Sequence, residues 1–136
     1  MSCIANGGAY NTPYLVEKAV DGTSIVFEHE KRAGEYVMSG NTASILSKYL
    51  KSAVENGNGR GAKPENTTAA GKTATAQTGK FENGEELYNT WFSGWFPAEN
   101  PCYVITVFKE RGSGGASDCA PVFKAIADKI TALESE

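Results

Sequence analysis

The chain has 136 residues, with 13 basic and 16 acidic side chains and a net charge of −3. It carries no basic block, which argues against a nucleic-acid partner, and no apolar run nears the ~18 residues needed to span a bilayer. Hydrophobic residues at 40% and charged residues at 21% suit one globular domain, 1–136, with a modest core.

The opening residues, MSCIANGGAY, have neither the charged start nor the apolar stretch of a signal peptide. An export segment, if the protein works outside the membrane, is expected to lie outside this chain. Next, Tyr14–Val20 and Thr23–Glu30 read as a small hairpin around Asp21-Gly22. The single histidine, His29, alternates with Phe27 and reads as a solvated strand residue. The run Ser39-Gly40-Asn41-Thr42 offers helix caps, with Ser39 and Asn41 taken as the capping residues. Ile45, Leu46, Tyr49, Leu50, Ala53 and Val54 then recur at helical spacing. The helix is expected to end at Asn56-Gly57 through a left-handed glycine cap, followed by a mobile loop, NGNGRGAKPEN.

Three strands are expected in the second half: Ala69–Gln77, Leu87–Phe96 and Cys102–Phe108. The polar stretch TGKFENGEE joins the first two, and PAENP makes a tight turn between the last two. Short connections favour an antiparallel meander. Pro121 opens a C-terminal helix running to Leu133, with a stripe of Val122, Phe123, Ile126, Ile130 and Leu133. The fold class is therefore α+β, a three-strand meander plus a small hairpin, packed by helices. Residues 1–66 hold the hairpin, helix and loop, and 67–136 the meander and last helix. The three cysteines, Cys3, Cys102 and Cys119, fit neither a disulfide framework nor a zinc site and read as packed or incidental thiols. No metal cluster is visible.

AAGKTATAQTGK, residues 69–80, carries the chemistry. A phosphate-binding loop would need glycine at position 66, where Asn66 stands, and a helix directly after Thr73. An edge strand fits better. Ala69, Ala70, Gly71, Ala74 and Ala76 are small and let another backbone approach. A free strand edge can pair with an extended peptide, Lys72 supplies a positive charge, and Thr73 and Thr75 supply hydroxyls for a carboxylate.

GKTATAQ resembles the Lys-Thr-Gly strand motif of penicillin-binding transpeptidases and serine β-lactamases. IANGGAYNTPYLVEKAV, WFSGWFPAENPCYVITV and APVFKAIADKI resemble, in order, the flanking segments of class B penicillin-binding proteins. The resemblance covers essentially the whole chain and implies the C-terminal part of a transpeptidase domain. In that family a serine of Ser-x-x-Lys attacks the D-Ala-D-Ala carbonyl of a peptidoglycan stem peptide, and β-lactams acylate the same serine. The implied substrate-binding residues are Gly71, Lys72, Thr73, Ala74 and Thr75. Lys72, Thr73 and Thr75 carry the catalytic roles: Lys72 polarises the site, and Thr75 contacts the carboxylate and lends its N–H to the oxyanion hole. Ala74 stands where the family usually has glycine. No cofactor is implied.

No serine in this chain has a lysine three residues later, so the nucleophile is absent and covalent catalysis cannot start here. Ser39-Gly40-Asn41 matches Ser-x-Asn but lies only 33 residues before Lys72. The expected partners are a stem peptide or β-lactam in the intact parent, at the extracytoplasmic face of the bacterial membrane. With the N-terminal half of the domain missing, self-association through Cys102–Phe108 is expected. The alternatives are a non-catalytic module that binds stem peptides or β-lactams and, less favoured, a P-loop nucleotide binder.

Overall fold

The computed structural model describes residues 1–30 and 34–135. In chain order the elements are α1 (Ser2–Ala5), β1 (Ala9–Tyr10), β2 (Lys18–Asp21), β3 (Ser24–Glu28), β4 (Glu35–Tyr36), α2 (Gly40–Glu55), β5 (Ala70–Glu82), β6 (Glu85–Phe96), β7 (Tyr103–Lys109) and α3 (Ala120–Glu134). A 3₁₀ turn at Arg60–Ala62 follows α2, and a π-helical turn at Gly115–Cys119 leads into α3.

The meander is present, with β6 between β5 and β7 and both pairings antiparallel. β5 is longer than its small-residue core, because TGKFENGEE is not a connection. The strand runs on to Glu82, and the turn is Asn83-Gly84 alone, with φ of 53° and 85°. Two positive φ values at Asn-Gly match the twist of a two-residue hairpin. A register shift between Gln77 and Phe81, with Gly79 at φ 68°, absorbs the irregularity as a bulge.

Strand alternation separates the two faces of the sheet. Phe92 and Phe96 point to α3, where their rings lie 4.8 and 5.9 Å from that of Phe123. Val54, Ala62, Ala69, Cys119, Ala120 and Ala127 complete this core. Trp95 points to the other face, packing with Ala70, Ala98, Ile4 and Leu50. The π turn aligns α3 so that Phe123 and Ala127 are buried, while Val122 and Leu133 of the expected stripe stay exposed. Likewise α2 buries Ala43 and Val54, while Ile45 and Tyr49 face outward.

Ser39 caps α2 by accepting the Thr42 N–H at 3.1 Å. Asn41 is inside the helix rather than a cap. Nor does α2 end through a left-handed glycine: Gly57 is not at positive φ. Instead the N–H groups of Gly57 and Gly59 both bond to the Ala53 carbonyl, at 3.2 and 2.9 Å. A Cβ at Gly57 would sit 2.9 Å from that oxygen, so glycine is required by close approach. The segment expected as a mobile loop is a tied-down turn with Gly59, Ala62 and Pro64 buried. The Glu65 N–H donates to Asp128 at 2.7 Å, anchoring the segment on α3.

The first hairpin is shorter than expected, Lys18–Asp21 with Ser24–Glu28. His29 lies just beyond it, half-buried and stacked on Tyr14 at 3.9 Å. The cysteines are free, with Cys119 buried and Cys102 exposed.

Candidate functional site

Among the described residues β5 has a hydrogen-bonded strand neighbour on one side only, so alternate residues offer their backbone groups to an open margin. Cross-strand partners share a face. Thr73 and Thr75 pair with Phe92 and Thr90, which places both threonines on the α3 face. Lys72 pairs with Ser93 and belongs to the opposite face, towards α2. Its ammonium nevertheless donates to the Thr73 carbonyl at 2.9 Å and lies 3.4 Å from the Thr73 hydroxyl. A side chain that starts on one face and reaches a hydroxyl on the other passes round the free edge. The Gly71-Thr73-Thr75 parity is therefore the one turned outward.

Residues 72–75 form one wall of a cleft of about 620 Å³. The opposite walls are the end of α2 with its 3₁₀ turn, at Gly57, Asn58, Arg60 and Gly61, and the glycine loop Gly114-Gly115-Ala116. The residues after Thr73 stay extended, so the phosphate-loop alternative is excluded by the backbone. Gly71 is buried against the sheet. A Cβ there would come within 2.6 Å of the Phe92 ring and 2.8 Å of the Ser93 carbonyl.

The comparisons with known proteins bear on this geometry. The family model described as the penicillin-binding protein transpeptidase domain matches residues 1–128. This chain belongs to the penicillin-binding protein transpeptidase family. It is 29% identical to peptidoglycan D,D-transpeptidase MrdA of Haemophilus influenzae, over 92% of this chain and 21% of that protein. It is 32% identical to stage V sporulation protein D of Bacillus subtilis, over 90% of this chain and 20% of that protein. It is also 32% identical to penicillin-binding protein PbpB of Mycolicibacterium smegmatis, over 91% of this chain and 22% of that protein. Among solved structures, the D,D-transpeptidase domain of a peptidoglycan glycosyltransferase from Eggerthella lenta superposes with a TM-score of 0.80 at 28% identity, over 97% of this chain and 30% of that one. The chain thus spans about a fifth of the length of the curated relatives it matches.

In this transpeptidase-family chain the five residues singled out by sequence, Gly71 to Thr75, lie together, and Lys72 to Thr75 line the cleft. Sequence reasoning missed the rest of the walls. Arg60 falls in a segment with no regular pattern, and the glycine loop reads as a plain connection. The loop is placed by Asp118, which accepts the Ser113 N–H at 2.6 Å, the Gly114 N–H at 2.9 Å and the Lys109 ammonium at 3.0 Å. The Gly114 N–H, then Lys109, hold the Asp118 carboxyl down to about 2. Behind it, buried Thr90 bonds to both Asp118 and Cys119. So held, Gly115 presses on the strand. A Cβ there would meet the Trp91 carbonyl and lie 2.7 Å from that of Ala74.

The strand's entry is fixed separately. Glu99, in the β6–β7 turn, accepts from Lys51 of α2 and from Thr68 just before β5. Those two bonds, Lys51 first, lower its carboxyl to about 2. The Thr68 hydroxyl also accepts the Ala98 N–H at 2.9 Å. Among the described residues no group of histidine, cysteine and acidic side chains could hold a metal ion, and no helix is long and apolar enough to cross a membrane.

Proposed function

We propose that this chain is the substrate-docking part of a peptidoglycan D,D-transpeptidase domain, its C-terminal part, working in the parent protein at the extracytoplasmic face of the bacterial membrane. The observation that carries this reading is the open margin of β5, whose residues 72–75 line a cleft on the side away from β6. An extended stem peptide ending in D-Ala-D-Ala pairs with that margin as an added strand. Lys72 polarises the site, Thr73 and Thr75 offer hydroxyls to the peptide's carboxylate, and the Thr75 N–H supplies one donor to the oxyanion. Removal of one such donor costs ~10²–10³ in rate in enzymes that depend on it.

Ala74 is compatible with docking because it is exposed and pairs with Trp91 across the ladder, on the Lys72 face and away from the two threonines. The nucleophile is not among these residues. No Ser-x-x-Lys occurs in the sequence, so the chain on its own binds and does not turn over.

Calorimetric titration with an acylated D-Ala-D-Ala dipeptide tests the docking half, with weak saturable binding expected and lost in Lys72→Ala. Mass spectrometry after exposure to a β-lactam tests the other half. The expected spectrum is unchanged, and a stable mass increase on a serine would contradict the assignment.

A further inference from the structure

We propose that Arg60 is a specificity-determining residue that grips the carboxylate of the docked ligand, on the side of the cleft where Thr73 and Thr75 present their hydroxyls. The proposal rests on the docking reading and deepens it. The 3₁₀ turn that carries Arg60 packs on the α3 side of the sheet. Its Ala62 joins the core with Phe92 and Phe123, and a Cβ at Gly61 would lie 3.2 Å from the Ala116 carbonyl and 3.5 Å from Ala120. Thr73 and Thr75 are on that same side, whereas Lys72 starts from the other and is drawn onto its own strand by the Thr73 carbonyl.

Two features make Arg60 available. Its side chain is exposed to the cleft, and among the described residues the guanidinium forms neither a hydrogen bond nor an ion pair. The cleft lining contains two cations, Arg60 and Lys72, and no carboxylate to neutralise them. A pocket with uncompensated positive charge and hydroxyl donors favours an anion. A guanidinium presents a planar fork that matches a carboxylate with two parallel N–H bonds, which an ammonium cannot do. The ligand class is therefore an extended peptide, or peptide mimic, with a free carboxylate at its end, and its amide is discriminated against.

The test measures the affinity of this chain for an acylated D-Ala-D-Ala dipeptide and for the same dipeptide as its C-terminal amide, in the native chain and in Arg60→Gln, Arg60→Lys and Lys72→Met. The native chain is expected to prefer the acid by about 10- to 100-fold, the range of a charge-assisted hydrogen bond. Arg60→Gln should lose most of that preference while binding the amide as before, and Arg60→Lys should retain only part of it. If Arg60→Gln keeps the native preference for the acid, the proposal is overturned and the docking reading stands, with the weakened binding of Lys72→Met then marking Lys72 as the cation the carboxylate meets. Equal weakening of acid and amide by Arg60→Gln would mark a merely structural role and overturn it as well. If the native chain binds neither dipeptide, the docking reading fails and the proposal falls with it.

Discussion

Gly115 shows how one residue can control the cleft. It lies so close to the backbones of Ala74 and Trp91 that no side chain fits without displacing β5 or the loop. Gly115→Ala is expected to destabilise the chain by roughly 1–3 kcal/mol, the usual cost of overpacking, and thermal unfolding measures it. Asp118, which pins this loop, gives a pH prediction whose sign follows from its depressed carboxyl. A carboxyl lowered by folding contributes stability that is complete above its unfolded value, near 4, and is lost as pH falls towards 2. Glu99 acts over the same window for the same reason. Unfolding temperatures should therefore be flat down to about pH 5 and fall between pH 4 and 2, with a shallower fall in Asp118→Asn than in the native chain. Such residues were not legible in advance. Asp118 and Glu99 look like ordinary surface acids in the sequence, and only the fold turns the N–H groups of Ser113 and Gly114, or Lys51 and Thr68, towards them. Lys72, Thr73 and Thr75 could be placed on one extended strand in advance, because strand alternation is a local property.

At the scale of elements, the β5–β6 hairpin corrects a reading based on polarity. Thr78 to Glu86 are mostly exposed and polar, which argues for a connection when composition alone is weighed. The turn chemistry of Asn83-Gly84 outweighs it, since two residues at positive φ close the hairpin and leave the flanking polar residues free to pair. Gly84→Ala, at φ 85°, should cost about 1–2 kcal/mol, the penalty for placing a Cβ in left-handed backbone. A denaturant melt would show it. The helices show the reverse case. The short α1 carried no cap or periodicity signal, whereas the spans of α2 and α3 were readable from caps and periodicity, to within a residue or two. The buried faces were not, because Ile45, Tyr49, Val122 and Leu133 are apolar yet exposed, and small residues such as Ala43 and Ala127 take the inner positions. Phe123 anchors α3 to the sheet through two ring contacts. Phe123→Ala is expected to cost ~3–5 kcal/mol.

For the molecule as a whole, the sheet is covered unevenly. On the face of Trp95, α2 lies over β5, and Trp91, Val104 and Phe108 remain 36%, 43% and 43% exposed towards the β7 margin. Among the described residues the far side of β7 also has no strand beside it. An open strand edge next to apolar side chains invites another chain. Sedimentation should therefore show concentration-dependent association through residues 102–108, which Val104→Lys with Phe108→Lys weakens. A single monomeric species at high concentration in the native chain would refute this.

The tip of the long hairpin has one more consequence. Val54, Ala62 and Ala69 lie before it in the chain, and Phe92, Phe96, Phe123 and Ala127 lie after it, yet all share one core. Two peptides divided between Asn83 and Gly84 would each carry an incomplete half of that core, neither able to hide its apolar surface alone. Mixed together, they should reconstitute the cleft, so that its appearance becomes a reporter of their encounter.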